Sequence, residues 1–316
     1  MAKRVALALG SGGARGYAYI GVVDELRSRG YEIVGVAGSS MGALVGGLLA
    51  AGSLDEFAAW ATTLTQRAML RLLDPSISAA GVLRAGKILD AVRDILGEVT
   101  IESLPVPYTA VATDLIAGKS VWLQHGPVDE AIRASIAIPG MIAPHVLDGR
   151  LLADGGILDP VPIAPVASVN ADLTIAVCVS GMETEINVDD HIGAEPRATR
   201  ERLNRLLRST STMLERFSAL PDGDEDDPLD ADDAGPAVRE APGPRLGSFA
   251  VVNRSFDIAQ AALARHQMAA YPPDMVIEVP RTACRSLDFH RAAEVIDLGH
   301  DLAARALDRL EGRGEP

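Results

Sequence analysis

Gly38-Ser39-Ser40-Met41-Gly42 has the spacing G-x-S-x-G, in which flanking glycines let the backbone turn sharply enough to present a serine hydroxyl. A serine so presented is a candidate nucleophile for acyl transfer, provided a base takes its proton and amide groups receive the oxyanion. Two further stretches could supply these. In Gly10-Ser11-Gly12-Gly13-Ala14-Arg15-Gly16 the N–H groups of Gly12 and Gly13, lacking Cβ neighbours of their own, can approach a reacting carbonyl. The alternative there is a tight strand-to-helix turn with no chemical role. In Leu151-Leu152-Ala153-Asp154-Gly155-Gly156 an apolar strand delivers a carboxylate at its C-terminal end, where sites form in parallel sheets, and two glycines leave space beside it. Asp-Gly-Gly alone is more often an ordinary turn. A Ser-Asp-His triad needs a histidine C-terminal to both partners. His191, His266, His290 and His300 all fall where surface or helix-terminal roles are expected.

The elements around Ser40 admit two readings. From Ile33 to Leu54 the chain has 22 residues without a charge, with Gly38, Gly42 and Gly46 at G-x-x-x-G spacing, as in a packed membrane helix. Against a span stand six glycines, three serines and the absence of a flanking Lys/Arg cluster. The better parse is a β-branched strand over Glu32–Ala37, the turn at 38–42, and an Ala/Leu-rich helix over Ala43–Ala51 stopped by Gly52. This strand, turn and helix is the context that makes the five-residue pattern a nucleophile elbow. The first glycine loop fails as a dinucleotide site: Arg15 stands where G-x-G-x-x-G needs glycine, no Gly-Lys-Ser/Thr follows, and no acidic residue ends a second strand.

The rest of the chain bounds the setting. Hydrophobic residues are 48% and aromatics 4% of 316 residues, so Ala, Val, Leu and Ile must build the core, as in helices packed on a parallel sheet. Strand-like runs at 4–9, 32–37, 108–113, 120–124, 151–153, 173–179 and 275–279 alternate with helical patterns at 17–29, 43–51, 54–72, 86–97 and 290–310, which predicts an α/β sandwich with a mainly parallel sheet. The apolar run from Val5 to Leu9 is too short for a signal peptide, so a cytoplasmic protein is expected, and Cys178 and Cys284 read as structural thiols. No His/Cys/Asp cluster has zinc-ligand spacing. A net charge of −14 argues against a nucleic-acid partner and against simple electrostatic binding to anionic lipid. Residues 221–247 carry nine acidic residues against two arginines, with prolines and glycines, and should form a disordered linker or long surface loop.

Taken together, GSGGARG, GSSMG and DGG, with ATDLIAGK at 112–119, AIRASIAIPGMIAP at 131–144 and DGRLLADGGILDPVPI at 148–163, resemble the patatin-like phospholipases. PDMVIEVP and LDFHRAAEVIDLG near the end are similar to the bacterial branch related to neuropathy target esterase. The resemblance covers nearly all the chain outside about 181–250. It implies a patatin-type α/β/α sandwich, a variant of the α/β-hydrolase architecture, and a Ser-Asp dyad that needs no cofactor. It makes Ser40 the nucleophile, Asp154 its base, Gly12 and Gly13 the oxyanion-hole residues, and Arg15 the basic residue closing the loop motif. Gly10, Gly16, Gly38, Gly42, Gly155 and Gly156 are the supporting glycines. Ser11 departs from the family, many of whose members have glycine there; since the hole uses main-chain amides, activity is still expected.

The domain division expected is a catalytic core over 1–180, an insertion over 181–250 and a C-terminal part, 251–316, completing the same domain. Within the insertion, residues 197–217 set Leu203, Leu206, Leu207, Met213, Leu214 and Phe217 on one helical face, with six arginines against two glutamates. That pattern suits a helix packed on the core, or a lid or peripheral membrane contact shielded by the acidic run. The functional expectation is a serine lipid acyl hydrolase acting on phospholipid, lysophospholipid or another fatty acyl ester. Rival readings are an idle lipid-binding or regulatory protein and an acyltransferase using the same dyad.

Overall fold

The computed structural model describes residues 2–72, 86–180 and 248–312. Residues 1–184 cluster with 254–316 in one unit, and everything below concerns that unit unless stated. The insertion helix expected at 197–217 and the acidic run at 221–247 lie outside the described residues.

Eight strands form one sheet: β1 (Arg4–Leu9), β2 (Glu32–Ser39), β3 (Tyr108–Asp114), β4 (Lys119–Leu123), β5 (His145–Leu147), β6 (Arg150–Asp154), β7 (Leu173–Ser180) and β8 (Met275–Pro280). The order is β5-β6-β3-β2-β1-β7-β8, with β4 also paired to β3. The five strands β3, β2, β1, β7 and β8 run parallel. At the β3 end the sheet turns antiparallel, through β3–β4, β3–β6 and β5–β6. The mostly parallel sheet is as expected, but two details differ. β5 was not foreseen, because three residues are too few to show an alternation. The strand carrying Asp154 is antiparallel to its neighbours, so its carboxylate reaches the site from a hairpin and not by the parallel-sheet logic.

Alternation along the central strands explains the layers. Val5, Leu7 and Leu9 of β1 and Ile175 and Val177 of β7 face the larger core, while Ala6, Ala8, Ala176 and Cys178 face the other side. Large aliphatics on the first face bed α1 (Ala18–Ser28), α2 (Met41–Ala51), α3 (Leu54–Thr62), α6 (Val128–Ser135) and the last helix, α8 (Ala292–Leu310). Two shorter-range helices, α4 (Gln66–Leu72) and α5 (Gly86–Leu96), complete this side. On the small-residue face lie Val161, Ile163 and Val166 and, from α7 (Ser248–Ala270), Ala264 and Met268. The result is the α/β/α arrangement.

The window that resembled a membrane span is divided between β2, Ser40 and α2. α2 is apolar all round because it is buried all round, from Met41 to Ala50. No described helix is long and apolar enough to cross a membrane. Helices α1 and α8 cross with their backbones in contact: a Cβ on Gly21 would strike the Ile296 carbonyl, and one on Gly299 the Ala18 carbonyl.

Candidate active site

Ser40 is the residue between β2 and α2. Its backbone sits at φ 55° and ψ −122°, outside the regions ordinary for an L-residue. Among the described non-glycine residues only Asp148 shares a positive φ. The turn is possible because Gly38 and Gly42 lie against each other, and a Cβ on Gly42 would also strike the Leu9 carbonyl. Ser40 starts α2, with its own carbonyl accepting from Ala43 and Leu44. A neighbour on α6 holds the turn: the Ser135 hydroxyl accepts from the Ser40 amide at 2.9 Å and donates to the Val111 carbonyl at 2.6 Å.

Register brings Asp154 to this turn. Ser39 of β2 pairs with Val111 of β3, and the next residue of β3, Ala112, pairs with Asp154 of β6. The Asp154 carbonyl accepts from the Thr113 hydroxyl at 2.9 Å and its amide donates to the Ala137 carbonyl at 3.0 Å. Its side chain is 2% exposed. Oδ1 accepts from the Gly156 amide at 2.8 Å, while Oδ2 has no partner at hydrogen-bond geometry among the described residues. Burial pushes the Asp154 carboxyl up to about 6, against the smaller lowering influences of the Ser40 hydroxyl and the Gly156 amide. Ser40 is thus near enough to act on the carboxylate, although no hydrogen bond of ordinary geometry reaches Oδ2 among the described residues.

The glycine loop closes the third side. Gly10 donates to the Val177 carbonyl and Ser11 to the Pro160 carbonyl. Gly12 is extended, and Gly13 has φ 57° with the Ser286 carbonyl where a Cβ would go. Among the described residues neither amide has a hydrogen-bond partner. Gly13 and Ser40 line the same cleft. Arg15 does not face the serine: its Nε donates to the Arg281 carbonyl and its Nη1 to the Ser286 hydroxyl, tying the loop to the segment before α8. A Cβ on Gly16 would strike Met41, one on Gly155 would strike the Val111 carbonyl, and one on Gly156 would strike Ser11 Oγ. Ser11, the family departure, therefore packs its hydroxyl against the Asp154 turn.

The cleft encloses and opens onto about 830 Å³ of empty space and is walled by apolar side chains, among them Met41, Leu44, Phe57, Trp60, Met69, Ile88 and Ile142. Such walls suit a hydrocarbon chain, with Ser40 and Gly13 on the same lining. None of the described histidines lines it: His145 pairs with Glu130 and His300 with Glu25, both away from Ser40. Ser135, Ser39 and Asp159 were not foreseen. The Ser39 hydroxyl donates to the Asp159 carbonyl, and burial pushes the Asp159 carboxyl up to about 6. Ser135 and Asp159 do lie inside the AIRASIAIPGMIAP and DGRLLADGGILDPVPI stretches.

A family model described as patatin-like phospholipase matches residues 7–167, a span that holds the glycine loop, Ser40 and Asp154. An uncharacterized NTE family protein of Mycobacterium tuberculosis (strain ATCC 25618 / H37Rv) is 62% identical over 336 residues, which cover 98% of this chain and 92% of that protein. Neuropathy target esterase sws of Drosophila melanogaster is 30% identical over 196 residues, 57% of this chain and 13% of that one. The crystal structure of VipD from Legionella pneumophila is similar at a TM-score of 0.44 and 17% identity, over 98% of this chain and 67% of that chain. The chain belongs to the patatin-like phospholipase family, in the branch related to neuropathy target esterase.

Proposed function

We propose that the protein is a serine acyl hydrolase of fatty acyl esters, of the phospholipase A, lysophospholipase or carboxylesterase kind, with Ser40 as nucleophile and Asp154 as its base. The observation that carries this reading is the strained Ser40 backbone, held beside a buried carboxylate on the wall of an apolar cleft. Strain of this kind persists only where the surroundings over-determine it, and here it lifts one hydroxyl toward the cleft.

Ser40 Oγ attacks the ester carbonyl carbon as its proton passes to Asp154. The carbonyl oxygen takes up the negative charge and accepts from the Gly12 and Gly13 amides. Collapse of the adduct expels the alcohol, which leaves with the proton from Asp154, and the acyl group stays on Ser40. Water then attacks the acyl-enzyme, giving its proton to Asp154, and the second collapse releases the fatty acid and returns the proton to Ser40. The sequence of steps balances within these residues and water.

Hydrolysis of a short-chain p-nitrophenyl ester and of a lysophospholipid by wild type, Ser40→Ala and Asp154→Asn tests this, with folding followed by circular dichroism. Turnover by wild type and its loss in both folded variants is expected. A folded Ser40→Ala that keeps wild-type turnover sinks the assignment. Transfer of the acyl group to an added alcohol in place of water identifies an acyltransferase.

A further inference from the structure

Helix α7 reaches the turn that carries Asp154. Gln260 Nε2 donates to the Gly156 carbonyl and Gln267 Nε2 to the Leu158 carbonyl, each at 3.0 Å and each partly buried. Seven residues apart, the two glutamines lie two helical turns apart on one face. Ala264 and Met268 share that face and pack on the small-residue side of the sheet, which sets the height of the helix above the turn.

The two carbonyls belong to a short relay. Gly156 is gripped at both ends: its amide donates to Asp154 Oδ1 at 2.8 Å, and its carbonyl accepts from Gln260. Leu158, held by Gln267, precedes Asp159, whose amide donates to the Gly155 carbonyl at 2.8 Å and whose carbonyl accepts from the Ser39 hydroxyl. Ser39 is the residue before Ser40. One glutamine therefore acts on the side of the base, the other on the side of the nucleophile. We propose that Gln260 and Gln267 are positioning residues for the Ser40–Asp154 pair, clamping the 155–159 turn so that the carboxylate and the hydroxyl keep their mutual placement. The proposal rests on the dyad reading given above.

The test follows the titration of Asp154 itself in the full chain, by carboxyl ¹³C NMR of aspartate-labelled protein, with the signal identified by its loss in Asp154→Asn. Ester hydrolysis is measured alongside. Gln260→Met keeps the stem and removes the donor. The Gly156 amide holds the Asp154 carboxyl down, so loosening that residue moves the midpoint upward, by up to about one pH unit. kcat falls about tenfold or more, because misplacement acts on chemistry, while KM is retained. Gln267→Met lowers kcat with a smaller change in the midpoint. An unchanged midpoint and unchanged kcat in folded Gln260→Met overturn the proposal, as does loss of activity that merely follows a lowered Tm at an unchanged midpoint. Failure of both variants to fold would make the glutamines determinants of folding and also overturn it. If Ser40→Ala and Asp154→Asn keep their turnover, the dyad reading fails, and the NMR midpoint still judges the clamp. If those two are inactive and the glutamine variants are unaltered, the clamp alone fails.

Discussion

The proposed base, Asp154, must carry a charge where charge is costly, so Asp154→Asn should abolish turnover and remove a loss of stability that wild type suffers as pH rises. The size of the effect follows from its titration. Burial moves the carboxyl from the ordinary 3.8 to about 6, and at about 1.4 kcal/mol per pH unit the ionised form costs the native state about 3 kcal/mol. The sign follows from linkage: a carboxyl raised on folding makes the native state bind more protons than the unfolded chain. Stability is therefore fully present below the unfolded value and falls as pH rises through about 6.

Asparagine cannot ionise, so it removes this loss, but it also places an amide donor where Oδ2 has no partner. An unsatisfied buried donor costs about 1–3 kcal/mol, which would mask the gain at any single pH. The difference between two pH values cancels that penalty, and it cancels the contribution of Asp159, which is raised in the same direction and present in both proteins. Between about pH 4.5 and about pH 8 the variant should gain about 2 kcal/mol on wild type, because part of the unfolded-state ionisation has already occurred at the lower value. Urea denaturation of both proteins at the two pH values, read by circular dichroism, measures it. A stability difference between the proteins that is the same at both values would refute the argument that Asp154 ionises in the native fold near pH 6.

Other consequences can be checked with less. kcat/KM should rise as pH passes through about 6, since Asp154 must be ionised to accept the Ser40 proton; a flat profile across that region would remove Asp154 as the base. Gly12→Ala keeps an allowed extended backbone but crowds the Val179 and Tyr19 side chains, and disturbing one oxyanion donor should cost about a hundred- to a thousandfold in kcat. A folded, fully active Gly12→Ala would exclude that amide from the chemistry. Gly299→Ala drives a methyl into the α1 backbone at Ala18 and should cost about 1–3 kcal/mol or more, seen as a lowered Tm; an unchanged Tm would deny the close crossing. Longer acyl chains should raise kcat/KM by up to about fourfold per methylene until the apolar cleft is filled. Trp60→Ala should blunt that rise, whereas an equal response to all chain lengths would place the acyl group elsewhere.

How far the site could be read in advance depended on how local each part was. The elbow is a strand, a turn and a helix within 20 consecutive residues, so Gly38, Gly42 and the apolar runs beside them identify it without tertiary knowledge. Its resemblance to a membrane span came from the burial of α2 on every side, which composition cannot distinguish from lipid contact. Asp154 was legible as a carboxylate before two glycines, but not the hairpin that delivers it: β5 is three residues long and only register shows that β6 runs antiparallel to β3. Harder still were the groups that hold the site. Ser135, Gln260 and Gln267 act on residues 95, 104 and 109 positions away, and a serine or glutamine on an amphipathic helix is far more often a solvated side chain. The glycines were visible because backbone meeting backbone excludes every other residue type, whereas a hydrogen bond to a carbonyl can be made by many. A site assembled from three glycine-rich turns therefore shows its contacts in the sequence and conceals its supports, and those supports are where substitutions should alter rate without touching a reacting atom.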